Sequence, residues 1–214
     1  EVDWEYLGIC SSTLIEGDRG YVMTNRGEVA CIDLKGMTNG NQGFQNEGQY
    51  MSGPGKEAAI AGPTDADILW TYDMIKELGV VPHNITSSSI AMAGERIVAT
   101  TSNGINEDHD HIPSPKAPAL ITLNASTGKL EGIEQAGISK ATMHCNWSSP
   151  CIGKRGGSPA IFFGGGDGFL HSFELVGKES GGGRPILQEH WRVDANPPEY
   201  RLDEEGEPRE YPSY

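Results

Sequence analysis

The sequence predicts an all-β chain made from one repeated unit of short antiparallel strands. Three observations carry that expectation. Of 214 residues, 29 are Gly and 13 are Pro, while only 36% are hydrophobic; short strands joined by turns use residues in that proportion better than helices do. Turn signals punctuate runs of Val, Ile, Phe and Ala, as a series of hairpins requires. A double serine also opens a similar stretch three times: "SSTLIEGDRGYVMTNRGEVACIDLKG", "SSIAMAGERIVATTSNGINEDHDHIPSPKAPALITLNASTG" and "SSPCIGKRGGSPAIFFGGGDGFLHSFELVG". Repeats of this kind outrank any local reading.

Within each copy an apolar strand meets a Gly/charge turn, then a second strand, then a turn closed by Gly27, Gly104 or Gly168. "NG" and "DG" are strong hairpin signals because both central positions of a type I′ turn need positive φ. A third strand ends at Asp33, Asn124 or Glu174. From turn glycine to strand end is six residues in copies one and three (33 − 27, 174 − 168) but twenty in copy two (124 − 104). About fourteen residues, "INEDHDHIPSPKAP", are therefore inserted at that hairpin tip. A fourth, outer strand follows in "DILWTYDM" and "QEHWRVDANP", with Trp70 and Trp191 expected between packed sheets. Copy two offers only "GKLEGIEQA" for it, and no Trp.

Units recurring at 76 and 61 residues (Ser12 to Ser88, Ser88 to Ser149) describe blades of a β-propeller. A sandwich also has short strands, but it needs no similar unit three times over. The blades are placed at about 9–74 with an insertion at 37–64, 83–136 with an insertion at 105–118, and 144–197, followed by an acidic loop or tail at 198–214. Three blades do not close a ring, so this reading has the ring completed by residues outside the segment. The 37–63 insertion, rich in Gly, Asn and Gln, reads as a cover or a loose loop. "DMIKELG" reads as a helical turn capped by Gly79.

A formal net charge of −14 argues against nucleic-acid backbones and anionic membrane surfaces, which need clustered Lys and Arg. No apolar stretch reaches the length of about 18 residues that spans a bilayer. The four Cys lack metal-finger spacing and are too few for a disulfide framework. Cys145 and Cys151, on one predicted strand, would lie roughly 20 Å apart at about 3.3 Å per residue; they bond only if the strand breaks at Pro150.

Two constellations bear on chemistry. His83 and His144 each stand five residues before a serine, Ser88 and Ser149, that leads into an innermost strand. A propeller would bring both to the same end of its channel, where neutral imidazoles either bind a metal or cofactor or cap a loop. The second is "NEDHDH", residues 106–111. Read as extended chain, it puts the carboxylates Asp108 and Asp110 on one face and the imidazoles His109 and His111 on the other. Carboxylates suit Ca²⁺ and a His pair suits Zn²⁺ or Cu²⁺; the alternative is a solvated hairpin tip. "FFGGGDGF" has neither the Lys nor the following helix of a phosphate-binding loop and reads as a turn.

"ITLNASTGKL" resembles the "-ALDA-TG---W" signature of the pyrroloquinoline-quinone (PQQ) enzyme repeat, with Asn124 in the Asp place; "CIDLKG" is a trimmed form of it. "DADILWTYDMIKELGVVPHN" and "IFFGGGDGFLHSFEL" look like PQQ-like propellers of planctomycete-type bacteria. The resemblance covers nearly the whole chain and implies an extracytoplasmic bacterial protein. It implies two activities. One is a non-catalytic scaffold that binds a protein or a cell-envelope component and sits in a larger assembly. The other is a PQQ- and Ca-dependent dehydrogenase of alcohols or sugars, which needs a catalytic base and a cation beside the quinone. The chain has no adjacent Cys-Cys pair of the alcohol-oxidising type and no recognisable base, so the scaffold is the expected activity.

Overall fold

The computed structural model describes residues 7–84, 86–179, 181 and 183–209. The first sheet comprises β1 (Leu14–Glu16), β2 (Arg19–Met23), β3 (Glu28–Asp33) and β4 (Asp67–Asp73). The second comprises β5 (Ala91–Ala93), β6 (Arg96–Thr100), β7 (Leu120–Asn124) and β8 (Leu130–Ile133), and the third β9 (Cys151–Arg155), β10 (Ser158–Gly164), β11 (Phe169–Glu174) and β12 (Glu189–Asp194). Each is a four-stranded antiparallel meander in chain order.

Alternation along one strand shows how the sheets stack. Successive side chains of a strand point to opposite faces. On β6, Ile97 and Ala99 enter a core with Tyr21, Met23, Val29 and Cys31 of the first sheet, while Val98 enters a second core with Ile161, Phe163 and Phe173 of the third. The middle sheet is thus buried on both faces, each large core side chain contributing about 1.5–3 kcal/mol of apolar burial. Three meanders stacked face to face, with inner strands β5 and β9 adjacent, are blades of a β-propeller.

The double serines have a physical role at these inner edges. The Ser12 amide donates to Ser89 Oγ at 3.3 Å, and the Ser89 amide donates to Ser149 Oγ at 2.8 Å. A ladder of hydroxyls ties blade to blade just before each inner strand. It also corrects the expected spacing: the partner of Ser149 is Ser89, not Ser88, so the two His-to-Ser intervals differ by one residue.

Trp70 behaves as expected. It flanks a bulge between β3 and β4, and its Nε1 donates to the Ala125 carbonyl at 3.1 Å, across to the second blade. Trp191 occupies the same register beside the bulge between β11 and β12, but it is 39% exposed. The expectation that it packs between sheets is not met, because among the described residues no sheet covers that face. The equivalent position in the second blade is Gly132, next to the corresponding bulge of β7 and β8. A Cβ there would lie 2.4 Å from Leu187 Cδ2. Leu187, held by its amide on the Ile133 carbonyl at 2.8 Å, fills the space that a Trp fills elsewhere, which explains the weak fourth strand.

The 37–63 insertion is built rather than loose. It contains α1 (Glu47–Ser52), whose buried Glu47 accepts from Asn41 at 2.8 Å and from the Ile68 amide at 3.3 Å. The expected turn after β4 is α2 (Met74–Leu78), with Asp73 as N-cap and Gly79 in the left-handed region at its C-cap.

Candidate functional site

The site lies where the chain leaves β6. Gly104 is not the turn glycine the sequence suggests; it marks a close crossing of three backbone segments. The His83 amide donates to the Ser102 carbonyl at 3.1 Å, the Gly104 amide to Val81 at 3.0 Å, and the Ile105 amide to His144 at 2.9 Å. A Cβ on residue 104 would sit 1.8 Å from the His144 carbonyl oxygen and 2.9 Å from His83 Cβ. Only glycine lets the two histidine-bearing segments approach so closely.

Buried amides brace this crossing. Asn103 accepts from the Val81 amide at 2.8 Å and donates to the Ser114 carbonyl at 2.9 Å. Asn146 donates to the Asn103 carbonyl at 3.4 Å and accepts from the Gly166 amide at 2.7 Å. Cys145 Sγ lies 3.0 Å from the Ser102 carbonyl. Cys145 and Cys151 are not bonded to each other, and Cys10, Cys31 and Cys151 are free thiols.

The inserted segment then folds back over the crossing. Its acidic and basic residues do not run extended, as the alternation suggested; they form a tight turn around Asn106. The Asn106 side-chain carbonyl accepts from the amides of Asp110 at 3.1 Å and His111 at 3.2 Å, and its amide group donates to Asp110 Oδ1 at 2.7 Å. An Asn side chain that mimics backbone in this way competes successfully with extended structure. The two imidazoles therefore part company. His111 Nδ1 pairs with Asp110 at 2.5 Å in solvent, and this bond with that from Asn106 holds the Asp110 carboxyl below its ordinary range.

His109 takes the other direction. Its φ of +59° is unusual for a residue with a Cβ, and its Nδ1 lies 2.8 Å from the Glu107 carbonyl. A carbonyl oxygen only accepts, so Nδ1 carries the proton in that bond. The His109 ring centroid lies 4.7 Å from that of His83 and 5.4 Å from that of His144, and the last two are 5.6 Å apart. One ring nitrogen from each of the three lies within 4.8 Å of the others. His83 is buried, His144 half-buried and His109 exposed. Burial first, then the proximity of His83 and His109, lowers the pKa of His144 and favours a neutral ring. Trp147 flanks His144 with ring centroids 6.1 Å apart. Beside them opens a cleft of about 440 Å³ lined by Trp147, Gly166, Asn196 and Tyr200.

Of the residues singled out from sequence, the structure brings together His83, His144 and His109. Asp108, Asp110 and His111 stand apart from that cluster. The carboxylates and the imidazoles of the 106–111 turn thus fall into different groups from those the extended reading gave.

A second titratable set escaped the sequence reading. His171 is fully buried on β11, with Nε2 3.1 Å from Asp167 and Nδ1 2.8 Å from Glu189 on β12. Burial pulls its pKa down, but the hydrogen bonds and charges of the two carboxylates outweigh burial and raise it. An Asp in the hairpin four residues before an inward His was the available signal; Glu189 is a cross-strand partner that no local pattern marks.

The three stacked four-stranded meanders define blades of a β-propeller. No protein-family model matches the sequence, and no curated protein matches it. Among solved structures the chain is similar to a europium-containing methanol dehydrogenase, at 16% identity and a TM-score of 0.48, covering 90% of this chain and 26% of that one. It is also similar to BamB from Moraxella catarrhalis (12%, TM-score 0.44, 87% of this chain and 35% of that one). A third is the quinohemoprotein alcohol dehydrogenase from Comamonas testosteroni (16%, TM-score 0.46, 87% and 21%). The chain thus spans between 21% and 35% of the lengths of these three proteins.

Proposed function

We propose that the chain is part of an extracytoplasmic PQQ-like β-propeller that works as a non-catalytic binding or scaffold module. The observation that carries this reading is the 105–118 insertion, a braced and folded extension added to one end of a blade. Ile105 and Ile112 are buried, Ser114 Oγ donates to the Gly79 carbonyl at 2.7 Å, and the whole segment stands over the crossing of three backbones. A preorganised loop face on a rigid scaffold suits recognition of a protein or cell-envelope component. The outer face of the third blade, with Trp191, Val193 and Leu170 exposed, and that of the first, with Ile15 and Leu34 exposed, support further blades on both sides and a place in a larger assembly.

The dehydrogenase alternative fits these residues poorly. PQQ carries carboxylates, and among the described residues the cleft beside His144 has no Arg or Lys in its lining. Three imidazoles are not the oxygen-rich ligand set that Ca²⁺ takes. The test is to purify the full-length protein with added PQQ and Ca²⁺. The expected result is no quinone absorbance and no dye-linked oxidation of alcohols or sugars, together with retention of a cell-envelope component that is lost when residues 106–111 are replaced by Gly and Ser. Stoichiometric quinone with substrate oxidation overturns the reading, as does retention that ignores the loop.

A further inference from the structure

The three imidazoles are not explained by binding-face architecture alone. We propose that His83, His109 and His144 form a binding site for a divalent transition-metal ion of the Zn²⁺ class, with a fourth coordination position left for water or an exogenous ligand. Nitrogen donors of this type suit Zn²⁺ and Cu²⁺ and do not suit Ca²⁺ or Mg²⁺. The donor count matches zinc sites that keep one position open. Among the described residues the cluster holds three His and no fourth His, Cys, Asp or Glu.

The geometry is close to what the ion requires. Zn–N bonds of about 2.0–2.1 Å place imidazole nitrogens of a tetrahedral site about 3.3 Å apart. The three nitrogens here lie within 4.8 Å of one another, so each ring moves inward by less than about 1 Å to reach that spacing. The exposed His109 and half-buried His144 are the rings with most freedom to adjust. The outer shell is already in place. Ligating histidines commonly donate the second ring nitrogen to a carbonyl or carboxylate, which fixes the tautomer, and His109 Nδ1 faces the Glu107 carbonyl at 2.8 Å. His109 holds a positive φ of 59° in the turn closed by Asn106, and that turn carries its ring to the other two. His111, two residues on and also exposed, has its ring turned to Asp110 instead.

The open position is on the solvent side, next to Trp147 and the cleft. The inference goes beyond the binding-module reading and does not depend on it, because it is read from metal content alone. The experiment is calorimetric and spectroscopic titration of metal-stripped full-length protein with Zn²⁺, and with Co²⁺ as a spectroscopic probe. One equivalent of Zn²⁺ is expected to bind with a Kd at or below about 1 μM, and Co²⁺ is expected to show the intense visible bands of a four-coordinate nitrogen site. Substituting His109→Gln, on an exposed turn where the fold is least at risk, should weaken Zn²⁺ by about 100-fold or more, since even outer-shell changes cost 10–100-fold. His111→Gln should leave affinity within about twofold, as it lies outside the cluster. Absence of stoichiometric Zn²⁺ binding by the unaltered protein overturns the proposal. So does an equal loss in the two variants, which would locate binding in the acidic turn instead.

Discussion

Replacing Gly128 by Ala tests whether adjacent blades are keyed together by a side chain over a turn. Gly128 has φ of +69°, and a Cβ added there would lie 2.6 Å from Trp70 Cε3 and 2.7 Å from Cδ2. The indole cannot easily withdraw: its Nε1 is bonded to the Ala125 carbonyl at 3.1 Å, and its ring packs against Tyr21 with centroids 6.1 Å apart. The left-handed backbone costs a Cβ-bearing residue about 1–2 kcal/mol. Overpacking adds about 1–3 kcal/mol, and the stiffer unfolded chain returns about 0.4–1 kcal/mol. The net destabilisation expected is about 2–4 kcal/mol. An internal reference is available in Gly94, whose φ is +59° with nothing within 4 Å of its Cβ position. Gly94→Ala carries the backbone cost without the clash and should lose only about 1 kcal/mol. The assay is urea unfolding of the full-length protein for both single variants and for Gly128→Ala combined with Trp70→Leu. The smaller side chain should remove the overpacking, giving a coupling of about 1–3 kcal/mol. If Gly128→Ala costs no more than Gly94→Ala, the keyed-blade argument is wrong.

Other consequences concern polar contacts. The raised pKa of His171 means that its imidazolium contributes stability fully present below the unfolded value of about 6.5 and lost as pH rises through the folded one. His171→Gln should therefore cost more in urea melts near pH 5.5 than near pH 8.5, about one unit below and two above that value; an equal loss at both would show that the charge is not used. Ser149→Ala leaves the Ser89 amide without its acceptor at 2.8 Å, with an expected cost of about 0.5–1.5 kcal/mol. No measurable change in its denaturation midpoint would reduce the serine ladder to a coincidence of packing.

Much of the fold was legible because the determinants of strands and hairpins are local. β-branched runs, Gly at positive φ and the Trp beside two of the three bulges signal within a few residues of where they act. The site was legible only in pieces. His83 and His144 were marked by their recurrence before inner strands, but the third imidazole came from an insertion with no repeat to compare. Alternation assigned His109 and His111 to one face because it assumed extended chain. Asn106 decided otherwise by capturing the amides of Asp110 and His111, an outcome that depends on side-chain geometry rather than on periodicity. Trp191 shows the complementary limit. Its register was readable, its burial was not, since burial depends on what stands opposite. Gly132 is a similar case, intelligible only once Leu187 is seen to fill the gap.

The insertion itself bears on whether the histidine cluster is a by-product of folding. Its two ends are already joined by the blade: the Thr101 amide donates to the Ala119 carbonyl at 3.0 Å, and Thr101 Oγ1 donates to the Pro118 carbonyl at 2.6 Å. For about fourteen residues the closure term is then near 2 kcal/mol, growing only slowly with length. Burying Ile105 and Ile112 contributes about 1.5–3 kcal/mol each, which offsets that term. The larger cost of ordering the backbone, about 1–2 kcal/mol per residue, falls on the segment's hydrogen bonds, such as those of Asn106 and Ser114. Placing an imidazole at position 109 in a left-handed conformation costs about 1 kcal/mol and gains no core contact, since the residue is exposed. The 4.7 Å approach of His109 to His83 is therefore better explained by a shared ligand than by the needs of the fold.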